Sequence, residues 1–506
     1  MNTKTFKFKI MKKLLYTISI VLIACSAFAQ DLTEALRYSN YHISGTARSA
    51  AMGNAFGALG GDFSSLSINP AGVGVYRSGE FTLTPSFGQS SIKSTYFGNP
   101  VSDTKNTISL DNLGYVASFK TGENSESGLV SVNFGLGFNK LANFSMNSMI
   151  EGSNLNNSIL TSFTNYANNN KVAVNNLDPY NEQLAYNTDL LLYDNTKKEY
   201  FNDITDHNYG QSQRKTVDRL GYINEYLLSV AANFNHKFYL GATLGIHDLY
   251  FKENTNLKEW DANNNIPYFN DLTYTTYLKQ TGNGVNFKIG AIFKPIEQLR
   301  LGVAFHSPTF YKINEVYDRG MTSSITYDDG VTKSKSANPN KEGAFDYQID
   351  TPMKVILSGA LVVGKVGLIS VDYEMVDYST SKIKSGSVVY DYTNDNINIG
   401  NAYKSVGNLH VGGELRVSKS FSLRAGYENF PSVYKDTYNN LPSPNRDLSY
   451  STIAAGFGFR QGRVFFDAAV KRIMNSEYNN PYPDALNMAK YETTQDNLIF
   501  TLGYKF

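Results

Sequence analysis

Val130, Val132, Phe134, Leu136 and Phe138 fall at every second position, with Ser131, Asn133, Gly135 and Gly137 between them. Successive side chains of a strand point to opposite faces, so this spacing makes one face apolar and the other small or polar. The pattern recurs. Phe238, Leu240, Ala242, Leu244 and Ile246 alternate with Tyr239, Gly241, Thr243 and Gly245. Leu299, Leu301, Val303 and Phe305 alternate with Arg300, Gly302, Ala304 and His306. Leu409, Val411, Leu415 and Val417 alternate with His410, Gly412, Glu414 and Arg416. The second face of a soluble sandwich is usually rich in Lys, Glu and Thr. Here it carries glycines and scattered charges of both signs, which suits the crowded polar interior of a membrane barrel.

Read this way, the chain predicts fourteen strands, near 79–89, 112–120, 128–150, 222–235, 237–254, 271–294, 297–316, 343–364, 366–380, 406–417, 420–430, 447–460, 462–475 and 494–506. Even-to-odd links are short: His236, Pro295-Ile296, Lys365, Ser418-Lys419, Gln461 and a turn at 121–127. Odd-to-even links are long, the longest being 151–221, with a helical piece expected around Leu184 to Tyr193. Short turns at one end and long loops at the other are the mark of outer-membrane barrels. Lipid offers no partner to an open sheet edge, so the sheet must close. The fold class expected is all-β: a fourteen-stranded antiparallel transmembrane β-barrel, short turns and both termini periplasmic. Leu498, Phe500, Leu502, Tyr504 and Phe506 carry the alternation to the last residue. A terminal Phe on such a strand resembles the signal read by the outer-membrane assembly machinery.

Composition narrows the function. The 506 residues hold 46 Lys+Arg and 45 Asp+Glu, a net charge of +1, which excludes a strongly basic nucleic-acid binder. Charged residues are only 18%, while Tyr (36) and Phe (31) are abundant enough for aromatic girdles at two membrane interfaces. A single Cys excludes a disulfide framework and any paired-cysteine zinc or redox site.

The start of the chain reads as a targeting segment. Lys12 and Lys13 precede the short apolar run Leu14 to Ala24, and Ala27-Phe28-Ala29 offers a small-residue cleavage site before Gln30. Residues 1–29 are therefore read as a signal peptide. Leu22-Ile23-Ala24-Cys25 offers a rival reading, in which Cys25 is lipidated. No later run reaches the ~18 apolar residues of a spanning helix. The best, Val355 to Val371, is broken by Lys365.

Residues 30–78 do not alternate. They are small-rich, including Ser49 to Gly61, and end in the turn Asn69-Pro70-Ala71-Gly72. Such a segment, compact helix and turn, packs closely against other chain, and ahead of strand one it makes a helical hatch that plugs the lumen of a barrel at 79–506. Here the sequence resembles the FadL-type outer-membrane transporters of hydrophobic compounds. The residues that carry the likeness are Ala47 to Ala55, Asp62, and Asn69-Pro70-Ala71-Gly72, with echoes at Gly137-Phe138-Asn139, Thr351-Pro352 and Asp372-Tyr373-Glu374. The resemblance implies an N-terminal hatch filling a fourteen-stranded barrel, passive uptake of a hydrophobic small molecule such as a long-chain fatty acid, and sideways release at a kink in strand three. It implies no cofactor or metal. It also leaves open a non-conducting barrel that shuttles secreted protein cargo.

Candidate residues follow from these readings. Gly53, Asn69, Pro70, Ala71 and Gly72 are expected to seat and gate the hatch. Gly135, Gly137 and Asn139 are expected at the kink. Alternation turns Arg300, Arg416, Arg424, Arg460, Lys471, Asp372, Glu374, Glu414 and Asp467 inward, mostly as charges paired across the wall and with the hatch. Lys288, Arg300 and Lys354 are candidates to hold a ligand carboxylate, because a cation in a dry pocket binds one strongly. Phe163 and Tyr166 are candidates for an external capture groove. No catalytic motif appears: the six histidines lack metal-ligand spacing, and there is no nucleophile elbow and no phosphate-binding loop. The chain is therefore read as a monomeric, non-enzymatic barrel with outer-membrane lipid around it.

Overall fold

The structure is a computed structural model and describes residues 32–41, 43–122, 127–154, 156–437, 448–483 and 485–506. The expected leader, with Cys25, lies outside them. A helical segment precedes a closed wall of fourteen antiparallel strands. The strands are β1 (Glu80–Tyr96), β2 (Asn99–Lys120), β3 (Leu129–Asn143 and Met146–Ser153), β4 (Ser212–Phe234), β5 (Phe238–Trp260), β6 (Phe269–Phe293) and β7 (Leu299–His306 and Phe310–Thr326). Then follow β8 (Gly343–Asp350 and Lys354–Val363), β9 (Gly367–Asp377 and Lys382–Ser385), β10 (Ser405–Arg416), β11 (Phe421–Phe430), β12 (Tyr450–Gln461), β13 (Val464–Asn479) and β14 (Ala489–Lys505). Each pairs with its sequence neighbour. The ladder from Glu80↔Lys505 to Thr95↔Lys490 closes β1 on β14 and leaves no edge. No helix among the described residues is long and apolar enough to cross a membrane.

The alternation is realised face by face. Leu136, Leu228, Leu244, Phe287, Val303, Leu357 and Ile369 are exposed on the outer surface, while Asn133, Thr243, Ser370 and Asp467 are buried on the inner one. Strand lengths differ from the sequence reading. A spanning strand needs only ~9–11 residues, yet β4, β5 and β6 run for 23, 23 and 25 residues. The polar continuations of β4 (212–221) and β5 (255–260) fall in predicted loops, because they lose the apolar alternation above the membrane band, whereas β6 matches its predicted range. The continuations keep their backbone ladders there. The clearest correction is at 90–111: β1 and β2 are joined by Phe97 and Gly98 alone, with φ of 48° and 77°. Those left-handed values make the tight hairpin turn whose twist matches its strands.

The longest connection folds into a cap. It contains a helix Ile159–Asn169, a second helix Glu182–Asn187, and a small hairpin pairing Leu192–Asp194 with Glu199–Phe201. Ser158 caps the first helix by accepting from the Leu160 amide at 3.1 Å. Leu160, Phe163, Leu184, Leu191 and Ile204 form its core with Leu257, Phe269 and Leu272 of the raised β5–β6 wall.

Candidate functional site

The hatch is built from short helices, Leu32–Arg37, Ala47–Ala51 and Ser65–Ile68, and a 3-10 turn Pro70–Val75. Asn69 has an extended backbone, as a residue before proline must, and its Oδ1 accepts from the Ala71 amide at 3.1 Å. Its Nδ2 donates to the Gly57 carbonyl at 2.6 Å and reaches the wall carbonyls of Ala291 and Val303 at 3.3 and 3.4 Å. One side chain thus ties the turn, the hatch and the barrel together.

The inward glycines of the wall are where the hatch sits. A Cβ on Gly241 would lie 2.3 Å from the Pro70 backbone, and one on Gly290 would lie 1.9 Å from Asn69 Oδ1. Gly302 meets Gly57 and Gly412 meets Met52 in the same way. The small second face of the strands is therefore a docking surface, and only there can main chain approach main chain this closely. Gly53 performs the same service from the hatch side, against the Tyr427 backbone, whereas Gly72 packs inside the hatch, against Ser65 and Gly60.

Polar contacts complete the seat. Asp372 accepts from the Gly57 amide at 2.7 Å, His306 Nε2 lies 2.9 Å from the Ile68 carbonyl, and Asn133 donates to Val73 at 2.7 Å. Near the short-turn rim Glu414 receives Arg48 of the hatch at 3.1 Å and Arg424 at 2.8 Å, and Arg424 reaches Asp467 at 2.5 Å. These inward charges pair as expected. Arg416 and Arg460 sit exposed at that rim.

Helix Leu32–Arg37 opens the helical hatch expected at 30–78. It lies in the lumen on the long-loop side, where Tyr347 donates to Glu34 at 2.6 Å and Tyr38 donates to Gln280. Burial pushes the Tyr38 phenol well above its ordinary value. The isolated pair Glu34 and Tyr38 gave no sequence signal, because its partners lie some 240 to 310 residues away.

β2 and β3 part company at Asn139. Their ladder runs only from Lys120↔Ser131 to Asn112↔Asn139. Beyond that, β3 bulges between Lys140 and Ala142 and its second segment follows β4. Among the described residues, β2 from Asn99 to Asp111 is laddered to β1 alone. Side chains bridge the break: Asn143 Nδ2 lies 3.5 Å from Thr107 Oγ1, and Asn99 donates to the Glu151 carbonyl at 3.0 Å. Gly135 and Gly137 lie below the break, inside the ladder, where Leu66 and Phe63 of the hatch pack on them. Asn139 is the last paired residue. It accepts from Asn112 at 2.7 Å and donates to Ser67 of the hatch at 2.9 Å. Ser67 donates in turn to Glu225 at 2.7 Å, and Glu225 also holds Lys288 and His247.

The expected ligand-binding residues part into three groups. Lys288 is buried in its bridge to Glu225, and Lys354 lies 3.4 Å from Glu374 and 5.1 Å above the Tyr41 ring. Both line one cavity of about 70 Å³, room for a few waters and not for an alkyl chain. Arg300 donates to the Leu59 carbonyl at 2.5 Å and so serves the hatch. Phe163 is buried in the cap core, edge-on to Tyr274 at 5.8 Å, and is no part of an open groove. Tyr166 is 41% exposed on the cap.

Residues 21–506 match the family described as outer membrane protein transport protein (OMPP1/FadL/TodX). The chain belongs to that family. Among solved structures it resembles a Pseudomonas aeruginosa FadL homologue at 14% identity, TM-score 0.55, over 92% of this chain and 100% of that one. It also resembles a TodX monoaromatic hydrocarbon channel carrying a deltaS2 mutation, at 13% identity, TM-score 0.52, over 91% and 98%. The Pseudomonas putida toluene transporter TodX aligns at 13% identity and TM-score 0.49, over 92% and 99%. These likenesses concern the fold. No curated protein sequence matches the chain. As a FadL/TodX-family member it is an outer-membrane β-barrel of a family of transport proteins for hydrophobic compounds.

Proposed function

We propose that this barrel takes up a hydrophobic small molecule, of the long-chain fatty acid or aromatic hydrocarbon kind, passively across the outer membrane. The long-loop end faces outward and the strand-bearing termini face the periplasm, with Phe506 read during assembly. The protein works as a monomer in outer-membrane lipid. Apolar surface on the loops captures the ligand by area burial, at ~25 cal/mol per Å². Gly53 and the turn Asn69-Pro70-Ala71-Gly72 hold the hatch until it shifts. The ligand then leaves sideways where β2 and β3 separate above Asn139, with Gly135 and Gly137 setting the approach of the two strands.

The observation that carries this reading is the wall break itself, coupled to the hatch through Ser67. Irregular backbone at membrane depth is tolerated where it lines a cavity. The break fits a side door better than a defect, because a polar chamber lies directly behind it.

A reversible lock tests it. Thr107 and Asn143 face each other across the break. The double variant Thr107→Cys/Asn143→Cys should take up labelled oleate or toluene normally when reduced and lose uptake when oxidised. Full uptake by the fully cross-linked protein would sink the side-door reading. A stable complex with secreted protein and no uptake in either state would favour the cargo shuttle instead.

A further inference from the structure

The chamber behind the break measures about 300 Å³, the lower end of the range for ligand pockets. It is bounded by β1–β3, by β11–β14 and by hatch residues around Tyr41. Its lining is unlike that of a hydrocarbon tunnel. Thr107, Ser109, Thr452, Asn475, Gln495 and Asn497 present hydroxyls and amides to it, and Phe144, Phe430 and Tyr450 add aromatic faces. Thr452 is 1% exposed, yet its Oγ1 has no hydrogen-bond partner among the described residues, and neither has Asn475 Oδ1. A buried hydroxyl without a partner is unfavourable unless something else enters to bond it. The charges do not offer an anion site. Lys471 is bridged to Glu428 at 3.0 Å, and Lys140 has Asp111 as its counter-charge in the same lining.

We infer that this chamber is a headgroup site: it takes the neutral, hydroxyl-rich head of a single-chain amphiphile, a glycoside-like head, while the alkyl tail lies out through the break between β2 and β3. The inference rests on the side-door reading above and departs from its cargo: a neutral polyol head replaces the carboxylate or the bare hydrocarbon. Amides and hydroxyls match the donors and acceptors of a polyol, and aromatic faces cover its C–H surfaces. With Lys471 bridged to Glu428 and the Asp111 carboxylate in the lining beside Lys140, a carboxylate gains no net advantage. The apolar part needs no pocket inside, because Ile108 and Leu110 stand exposed on the outer face of the β2 segment that has parted from β3.

The test compares heads on one tail. The barrel in lipid nanodiscs is labelled with an octyl β-glucoside bearing a photoreactive diazirine in its chain. Unlabelled octyl glucoside should protect at least tenfold better than octanoate or octane, with label on peptides of β2 and β3. Thr452→Val and Asn497→Leu should each weaken that protection by about three- to tenfold, the equivalent of one neutral hydrogen bond. Equal protection by octyl glucoside and octanoate in the unmodified protein overturns the inference, whatever the variants do. If the cysteine lock still controls uptake in that case, the headgroup assignment alone has failed. If the lock has no effect, the side door has failed with it.

Discussion

Asn139 of β3 donates a hydrogen bond to Ser67 of the hatch at 2.9 Å. The pair joins the last residue laddered to β2 with the segment that fills the lumen, so wall and hatch share one contact at the break. Ser67 is hydrogen-bonded on both sides, donating to Glu225 at 2.7 Å. Ser67→Ala would remove both bonds and leave two buried partners short, at ~1–3 kcal/mol for each group left unsatisfied. Expected are a raised leak in planar bilayers and faster uptake, with the heat-modifiable barrel band unchanged. Unchanged conductance would show that the contact does not restrain the hatch.

The double variant Asn69→Ala/Pro70→Ala removes the Asx lock of the turn, its bond to Gly57 and its reach to the wall. The fourteen-strand ladder does not include this turn. A barrel at normal abundance with impaired uptake or raised conductance is expected from gel mobility and single-channel recording. Loss of the folded barrel would make the segment a folding element instead.

Gly241→Ala tests the seat from the wall side. The added methyl would lie 2.3 Å from the carbonyl carbon and oxygen of Pro70, main-chain atoms that cannot turn aside. The hatch turn must move off β5. Limited proteolysis on the periplasmic side should cut the hatch of this variant and spare that of the parent. Equal resistance would mean that the turn is not held against Gly241.

The cap carries a pH dependence. Burial, with Asp178 nearby, raises the Glu182 carboxyl to about 7, and its Oε2 has no hydrogen-bond partner among the described residues. A carboxyl whose folded value lies above its unfolded value of ~4.5 favours the fold most below pH 4.5. That contribution is lost as pH rises through about 7. Local opening of helix Glu182–Asn187, read by hydrogen exchange, should increase roughly tenfold or more between pH 5 and pH 8. Glu182→Gln should flatten the dependence. A Gln variant that keeps the full pH response would place its origin elsewhere.

The sequence by itself determined the strand rhythm and the plug ahead of strand one, because each is local, and it implied closure into fourteen strands because lipid leaves no partner for an open edge. Alternation follows from the two-residue repeat of a strand, and the turn at Asn69-Pro70 follows from proline geometry. It misjudged where strands end, since polar strands beyond the membrane band lose the alternation but keep their ladders, as β1 and β2 do around Phe97-Gly98. Only the tertiary structure decided which inward residues remain free. Lys288 and Arg300 look like ligand cations along the chain, but Glu225 stands 63 residues from the one and Leu59 stands 241 residues from the other. The inward glycines acquire their meaning the same way. Gly241 and Gly290 are spaces for main chain that arrives from residues 69–71, and a repeat of two cannot reveal what fills them. The wall break at Asn139 is likewise a matter of which strand β3 follows, a choice made by backbone pairing between distant segments and not by the residues of β3 alone.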